Sequence, residues 1–279
     1  MNIIRKFVQL IRASKQFYKY GGISTVKIAT IDYGSIFKDK TILITGGNSG
    51  IGKSICERFL ANGANVIITG RNIEKLNKVA ADLNNSRLKI LSWDISDTNN
   101  IKEVVKKLET DYKIDILINN AGVYSKTSFP NCTSEDWDNV YTTNVKATFF
   151  ICQEFCNLWM LNRKAEIRKI INISSQGGFT IANNPYRMTK WDIRGFTSYL
   201  GAAMTKHGII ANAIAPGIIQ TDMQPSFQKQ GENLFTHLNP ANRIGLPIEI
   251  AELAVFLASD AANFIIGQTI CCDGGYTIK

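Results

Sequence analysis

The sequence lacks the long apolar runs and the metal-ligand clusters that characterise several common protein classes. No stretch approaches the roughly 18 consecutive apolar residues that a membrane-spanning helix needs. Only two of the 279 residues are histidine, and none of the six cysteines forms a Cys-x2-Cys pair. No zinc site is therefore expected, and reduced cysteines packed in a core are the interpretation that composition favours.

Acidic residues are scarce at the amino end, where most of the net charge of +9 lies. The first 40 residues contain eight Lys/Arg against two Asp, and the remainder is only mildly basic. No basic stripe interleaved with aromatic residues is present, so a nucleic-acid partner is not expected. A small-residue cleavage site of a secretory signal is also missing, which predicts a cytoplasmic location.

Residues 1–37 are predicted to form a basic amphipathic extension that precedes the main domain. Within residues 1–20, apolar side chains recur at roughly helical spacing with Lys and Arg between them. A helix of this kind can lie on an anionic membrane surface. Docking on the protein's own core or on a neighbouring subunit explains the same pattern, and both interpretations stay open.

From residue 38 onward, strand-like runs alternate with helix-like patterns. This order predicts a doubly wound, Rossmann-type α/β fold, in which a parallel seven-stranded sheet has helices on both faces. Residues 38–279 are expected to form a single dinucleotide-binding catalytic domain. The predicted strands are 41–45, 66–69, 88–91, 114–118, 169–173, 209–214 and 268–272, and the predicted helices are 51–62, 73–83, 101–110, 137–161 and 185–206.

A glycine-rich turn, with Gly46, Gly50 and Gly52, lies between the first predicted strand and the first predicted helix. Glycines at this place allow backbone N–H groups to approach a pyrophosphate at the positive end of the helix. The spacing Gly-x3-Gly-x-Gly differs from the Gly-x-Gly-x2-Gly dinucleotide fingerprint, and a plain turn would use the same glycines. The context of strand, turn and helix favours a nucleotide site.

Tyr186 and Lys190 lie four residues apart in a predicted helix, so they share one of its faces. The Lys190 ammonium is expected to lie beside the Tyr186 phenol and to lower a pKa that is ordinarily about 10. A tyrosine of this kind can exchange a proton with an alcohol or a carbonyl group near neutral pH.

Several motifs in the same order give the chain a specific resemblance to the short-chain dehydrogenases/reductases, from about residue 38 to the end. They are Thr-Gly-Gly-Asn-Ser-Gly-Ile-Gly at 45–52, Asn-Asn-Ala-Gly at 119–122, Asn144, Ser175, Tyr186-x3-Lys190, Pro216-Gly217 and a closing stretch at 243–275.

The resemblance implies a catalytic group of four residues. Ser175 would hydrogen-bond the substrate oxygen, and Tyr186 would be the general acid/base. Lys190 would hold the nicotinamide ribose, and Asn144 would fix a water that passes protons onward. The residues implied to bind the cofactor are Gly46, Asn48, Ser49, Gly50, Ile51, Gly52, Arg71, Asp94, Ile95, Asn120, Ala121, Gly122, Tyr186, Lys190, Pro216, Gly217, Ile219 and Thr221.

The end of the second predicted strand bears on the choice of cofactor. Gly70 stands where family members that use NAD usually carry Asp, and the adjacent Arg71 can pair with a 2′-phosphate. NADP(H) is therefore the preferred cofactor, with NAD(H) as the alternative. Asp94 resembles the acid that contacts adenine in the family, although an ordinary helix cap explains it too.

The predicted function is that of an NADP(H)-dependent oxidoreductase that interconverts a ketone and a secondary alcohol. A non-catalytic dinucleotide-binding sensor or scaffold, or an NAD-preferring dehydrogenase, are the alternatives. The family resemblance also implies a homodimer or homotetramer, with Ile151, Phe155, Leu158 and Trp159 as interface or core residues. A lid after Gly217 is expected to cover an uncharged, partly apolar substrate, using Met223, Phe227, Leu234 and Phe235, with Phe179 and Tyr124 opposite.

Overall fold

The computed structural model describes residues 30–161, 167–221 and 233–278, together with positions 7–8, 10–11, 14–15, 18, 25–26 and 28. Seven strands form one sheet in which every neighbouring pair is parallel. They are β1 (Thr41–Thr45), β2 (Asn65–Gly70), β3 (Leu88–Ser92), β4 (Ile116–Asn119), β5 (Arg168–Ile173), β6 (Ile209–Pro216) and β7 (Thr269–Cys272).

The strand order is β3-β2-β1-β4-β5-β6-β7, so the direction of winding reverses between β1 and β4. The carboxyl ends of strands at such a reversal leave a crevice in which ligands of open α/β sheets bind. The helices that connect the strands are α1 (Gly50–Ala61), α2 (Ile73–Leu83), α3 (Ile101–Tyr112), α4 (Ser134–Tyr141), α5 (Ala147–Leu161), α6 (Pro185–Met204) and α7 (Pro247–Ala258).

Successive side chains of the buried strands supply two separate hydrophobic cores, one on each face of the sheet. Ile42 and Ile44 of β1 enter the core shared with α1, α2 and α7, whereas Leu43 enters the core shared with α3, α5 and α6. A strand buried on both faces has to be apolar at every position, because its side chains alternate between the faces. The predicted doubly wound fold with a single domain is thereby confirmed.

The predicted single helix over residues 137–161 is wrong in one respect, because the chain forms two α-helices there. A π-helical segment, Thr142–Lys146, separates α4 from α5 and contains Asn144. The first of the two helices, α4, begins earlier than predicted, at Ser134. The Thr133 hydroxyl caps it by accepting a hydrogen bond from the Asp136 N–H at 3.2 Å. Single π-turns inside helices frequently occur at functional sites.

Helix α7 is an element that the sequence analysis did not identify. Its residues are apolar on nearly all sides. It therefore lacks the polar face that would give the sequence a recognisable helical period. Glu249 stabilises its first turn by accepting a hydrogen bond from the Leu246 N–H at 2.9 Å and by pairing with Arg243 at 2.6 Å. Helix α7 covers the same face of the sheet as α1.

Three of the four α5 residues considered for an oligomer interface are core residues. Ile151, Phe155 and Trp159 are buried in the core on the α3 side of the sheet, and Leu158 packs against that core. Intramolecular packing therefore accounts for them, and the homo-oligomer stays a prediction. Most of the amino-terminal extension lies outside the described residues, so its role is also a prediction. In the part of the chain that the structure describes, no helix has the length and apolar character to cross a membrane.

Candidate active site

A cleft of about 380 Å³ opens at the carboxyl ends of the strands, on the side where the winding reverses. It contains all of the residues that were expected to bind a cofactor. Its walls are formed by Gly46, Asn48, Ser49, Gly50, Ile51, Gly52, Thr69, Gly70, Arg71, Asn72, Lys75, Trp93, Asp94, Ile95, Asn120, Ala121, Gly122, Val123, Thr143, Ile173, Ser174, Ser175, Tyr186, Lys190, Pro216, Gly217, Ile219 and Thr221.

The glycine turn after β1 is packed so tightly that side chains are excluded from it. A Cβ atom on Gly52 would lie 2.3 Å from the Gly46 carbonyl oxygen, and one on Gly46 would lie 2.8 Å from the Ala121 Cα. Gly46 and Gly50 also have φ angles of +68° and +51°, which glycine adopts without strain. The Asn120 amide fixes the turn by donating to the Gly46 carbonyl at 2.9 Å. The turn is thus built for close approach of backbone to a ligand.

The amino terminus of α1 is polarised toward the cleft. Ser49 stands at the N-cap position, but its side chain makes no capping hydrogen bond, and the first turn contains no acidic residue. Helices α2, α4 and α6 are each capped by a side chain, whereas α3 lacks a side-chain cap as α1 does. Backbone N–H groups at such a terminus, together with the helix dipole, attract an anion such as a pyrophosphate.

Thr69 provides a second indication that the cleft holds a polar ligand. Its side chain is 0% exposed and lines the cleft, yet its hydroxyl has no hydrogen-bond partner among the residues that the structure describes. Buried hydroxyl groups are nearly always hydrogen-bonded in folded proteins. The glycine turn, the open helix terminus and this hydroxyl together fit a dinucleotide cofactor.

The end of the cleft beside β2 carries positive charge. Arg71 and Lys75 both line it and are exposed to solvent, and a Cβ atom on Gly70 would lie only 3.3 Å from the Asn48 side chain. The Asp94 carboxylate lies on the same wall, where it accepts hydrogen bonds from the Ser96 N–H at 3.0 Å and the Ser96 hydroxyl at 2.7 Å. Asp94 therefore stabilises the turn after β3 and also faces the expected adenosine site.

Tyr186 and Ser175 meet at the opposite end of the cleft. Tyr186 lies in the first turn of α6, which Asn184 caps by accepting a hydrogen bond from the Arg187 N–H at 2.9 Å. The Ser175 oxygen accepts a hydrogen bond from the Gly177 N–H at 3.1 Å, and the side chains of Ser175 and Tyr186 are hydrogen-bonded to each other. Both oxygens can therefore reach one substrate atom.

Lys190 lies one turn further along α6, on the same face as Tyr186. Its Nζ donates a hydrogen bond to the Ile173 carbonyl oxygen at 2.9 Å and is 5.5 Å from the centroid of the Tyr186 ring. Burial lowers the pKa of Lys190 to about 8. The amine thus loses its proton far more readily than a lysine in water.

The expected lowering of the Tyr186 pKa is wrong for this structure. The pKa of Tyr186 is raised above its ordinary value of 10.0, because burial disfavours the phenolate more than the hydrogen bond from Ser175 favours it. The Lys190 amine donates its hydrogen bond to the Ile173 carbonyl oxygen. A raised pKa keeps the phenol protonated near neutral pH, which suits a proton donor.

Asn144 lies beside the cleft and not in its wall. Its side chain is 2% exposed, accepts a hydrogen bond from the Val123 N–H at 2.8 Å and donates one to the Val123 carbonyl oxygen at 2.9 Å. It also donates to the Thr189 hydroxyl at 3.2 Å. The side chain is thus fully committed to holding the loop after β4 against α6, and its expected role in a proton relay stays a prediction.

The residues proposed for the substrate lid are only partly within the described chain. Met223 and Phe227 lie outside the described residues. Leu234 is buried, and neither it nor Phe235 lines the cleft. On the opposite side, Phe179 packs under the Arg194 guanidinium at 4.1 Å, whereas Tyr124 packs against the Tyr186 ring. Tyr124 is therefore the one member of this group that the described structure brings to Tyr186.

Comparison with known proteins gives consistent matches over nearly the whole chain. The profile of the family described as enoyl-(acyl carrier protein) reductase matches residues 46–277. The 3-oxoacyl-[acyl-carrier-protein] reductase FabG of Chlamydia trachomatis is 35% identical over 243 residues, which cover 85% of this chain and 97% of the relative. The NAD-dependent glycerol dehydrogenase of Listeria innocua is 36% identical over 245 residues, covering 86% and 95%.

Solved structures extend the likeness to three dimensions. The Pseudomonas aeruginosa RhlG/NADP active-site complex superposes with a TM-score of 0.80 at 27% identity, covering 88% of this chain and 99% of that one. That neighbour is described as an NADP active-site complex, so a protein of similar fold binds this nicotinamide nucleotide.

Proposed function

This chain belongs to the short-chain dehydrogenase/reductase family, and from that premise we propose that it interconverts a ketone and a secondary alcohol with Tyr186 as general acid/base. It is an oxidoreductase that acts on alcohol and carbonyl groups with a nicotinamide cofactor. The observation that carries the proposal is the meeting of Ser175, Tyr186 and Lys190 at the end of a cleft whose other end is the glycine turn.

The chemistry assigned to the protein is proton transfer and stabilisation of charge. When bound, the nicotinamide cofactor supplies or accepts a hydride at the substrate carbon. In reduction, Ser175 and Tyr186 donate hydrogen bonds to the carbonyl oxygen as negative charge grows on it, as the donors of an oxyanion hole do. Tyr186 then gives its proton to that oxygen, and its raised pKa ensures that the proton is present.

Lys190 assists Ser175 and Tyr186 by binding the cofactor. Its amine lines the cleft between Tyr186 and the Gly122 backbone, where its charge and its N–H donors can hold a ribose hydroxyl. The hydrogen bond to the Ile173 carbonyl oxygen fixes its position. Asn144 ties the loop after β4 to α6 through its hydrogen bonds. The residues on the two walls of the cleft therefore keep their spacing.

NADP(H) is the proposed cofactor. Arg71 and Lys75 place two cations at the end of the cleft where a 2′-phosphate would lie, and Gly70 stands in place of an acidic side chain. A guanidinium forms charge-assisted, frequently bidentate hydrogen bonds with phosphate. The NAD-dependent relative and the NADP complex of the solved neighbour are both similar to this chain, so NAD(H) preference is the competing outcome.

A 3-oxoacyl thioester is the proposed substrate class. A β-ketoacyl group is the substrate named in the description of a relative that is 35% identical to this chain. Next to the cleft, the half-exposed aromatic ring of Tyr124 packs against the ring of Tyr186. That ring offers an apolar surface to a chain attached to the reacting carbonyl.

A cofactor-oxidation assay with acetoacetyl-CoA tests the proposal. The Tyr186→Phe variant is expected to lose roughly a hundredfold to ten-thousandfold in kcat, the usual contribution of a general acid, while its Kd for NADPH stays within about twofold. Tyr199→Phe, on the exposed side of the same helix, is the matched control. If Tyr186→Phe turns over substrate as fast as the wild-type protein, the proposed role of Tyr186 is refuted. If the wild-type protein binds the cofactor but does not turn over substrate, a non-catalytic sensor is favoured.

A further inference from the structure

Tyr124 occupies an unusual position for a loop residue, because its ring lies directly against the ring of the acid/base. The two ring centroids are 4.6 Å apart, with the planes inclined by 44°. Tyr124 is 47% exposed, so part of the residue beside Tyr186 faces solvent. No hydrogen bond joins its hydroxyl to another residue in the described parts of the chain, which leaves that hydroxyl available to a ligand.

The loop that carries Tyr124 is held by a buried carboxylate. Asp136, in the first turn of α4, is 7% exposed and accepts hydrogen bonds from Ser125 Oγ at 2.6 Å and from the Lys126 N–H at 3.1 Å. It also accepts from the Thr127 N–H at 3.0 Å and from Thr127 Oγ1 at 2.7 Å. A carboxylate with this many donors anchors the three residues that follow Tyr124.

A second clamp acts on the other side of Tyr124. Asn144 holds the backbone of Val123 through both its carbonyl oxygen and its N–H. Tyr124 is thus the single residue between two buried side chains that fix its neighbours, Asn144 before it and Asp136 after it. Rigid support of this kind is what a residue needs in order to discriminate between ligands by a single hydrogen bond.

We propose that Tyr124 is a specificity-determining residue, which contacts the substrate and donates a hydrogen bond to a second oxygen close to the reacting carbonyl. Asp136 is the positioning residue that holds Tyr124 in place. The preferred substrates are then carbonyl compounds with another oxygen one or two carbons away, such as β-keto esters or α-hydroxy ketones. This inference rests on the proposed function, because it assumes that Tyr186 is the group that protonates the reacting oxygen.

The geometry favours this interpretation over a purely apolar wall. The Tyr124 and Tyr186 rings pack with their centroids 4.6 Å apart, so the two phenol side chains are direct neighbours. A substrate whose first oxygen is bound by Tyr186 therefore presents its neighbouring atoms to Tyr124. A site that supplies a donor for a substrate oxygen discriminates against analogues without that oxygen more strongly than an apolar pocket discriminates by size.

The experiment compares two substrates of equal chain length, ethyl acetoacetate and methyl pentyl ketone, in the full-length enzyme. The wild-type protein is expected to favour ethyl acetoacetate in kcat/KM. In Tyr124→Phe, the ratio of kcat/KM for the keto ester to that for the simple ketone should fall about tenfold, the usual effect of one hydrogen bond. Tyr199→Phe should keep the wild-type ratio.

The role of Asp136 is tested by a double-mutant cycle on the same ratio. Asp136→Asn alone should lower the ratio, because the Tyr124 loop loses its anchor, and adding Asp136→Asn to Tyr124→Phe should lower it little further. A merely structural role would reduce the rates for both ketones equally and leave the ratio unchanged. Additive effects on the ratio would overturn the positioning role.

The outcomes separate the inference from the function on which it depends. If the wild-type enzyme reduces both ketones and Tyr124→Phe keeps the selectivity ratio, Tyr124 does not determine specificity and the inference fails alone. If the wild-type enzyme reduces neither ketone with NADPH or NADH, while acetoacetyl-CoA is also inert, the proposed function fails and the inference fails with it.

Discussion

The side chain of Asn144 pairs with the backbone of Val123 through two hydrogen bonds, of 2.8 and 2.9 Å. This contact joins the π-helical turn between α4 and α5 to the loop that leaves β4. Because the same amide also donates to Thr189 on α6, one residue ties together three elements around Tyr186. Buried polar contacts of this kind fix the positions of the side chains in the site.

Gly52→Ala should impair cofactor binding and stability together. The added Cβ would lie 2.3 Å from the Gly46 carbonyl oxygen and 2.5 Å from the Asn120 amide nitrogen, so the turn has to shift. Overpacking of this kind typically costs about 1–3 kcal/mol of unfolding free energy. We expect a lower Tm and a Kd for NADPH at least about tenfold weaker, measured by fluorescence titration.

Gly195→Ala is the matched control for that variant. Gly195 lies in α6, and nothing lies within 4 Å of an added Cβ. An alanine in an open helix interior should stabilise the protein by about 0.5–1 kcal/mol and leave cofactor binding unchanged. Equal loss of NADPH affinity in both variants would contradict the assignment of the glycine turn.

Arg71→Ala should shift the cofactor preference toward NAD(H). The guanidinium lines the cleft beside Gly70 and is exposed, so its removal deletes a phosphate partner without disturbing a core. One charge-assisted hydrogen bond corresponds to a tenfold to hundredfold effect, roughly, on the ratio of kcat/KM for NADPH to that for NADH. Lys78→Ala, an exposed substitution on α2 away from the cleft, should leave the ratio unchanged. A wild-type ratio in Arg71→Ala would contradict the proposed NADP(H) preference.

The cofactor affinity should weaken at alkaline pH because of Lys190. Burial lowers its pKa to about 8, so the amine is charged below that pH and neutral above it. We expect kcat/KM for NADPH to be level below pH 8 and to fall as the pH rises through that value. Lys190→Arg, which keeps its charge, should be slower overall but level across the same range. An alkaline fall that persists in Lys190→Arg would assign it to another group.

Asp136 should make the protein's stability sensitive to acid. Hydrogen bonds from Ser125 and Thr127 lower its pKa from 3.8 to about 2. The group therefore stabilises the fold above its unfolded pKa, and that contribution is lost as the pH falls from about 4 to about 2, where the unfolded chain binds more protons. Urea denaturation across this range should show a shallower pH dependence for Asp136→Asn than for the wild type.

The exposed neighbour of Asp136 on α4 provides the control for that measurement. Glu135 lies one residue earlier and faces solvent. Glu135→Gln should keep the wild-type pH dependence of the free energy of unfolding. The account of Asp136 fails if Asp136→Asn loses stability between pH 4 and pH 2 as steeply as the wild-type protein does.

Much of the architecture was predictable because it depends on residues close together in sequence. The apolar runs of β1 and β6 and the glycine turn indicated the strands and the nucleotide site. The helix α6 begins at Pro185 as predicted, since proline suits a first turn. The break at Asn144 was not predictable, because the extra residue of the π-turn is stabilised by Val123 and Thr189, which lie 21 and 45 positions away.

The amino-acid sequence by itself determined the alternation of strands and helices, the glycine turn, and the placement of Tyr186 and Lys190 on one helix face. These features follow from local periodicity and from the conformations that glycine and proline allow. Only the tertiary structure decided the direction of the Tyr186 pKa, the acceptor of the Lys190 amine and the two clamps around Tyr124. Burial and hydrogen-bond partners are set by residues far apart in the chain, so the electrostatics of the site exist only once the strands and helices have packed together.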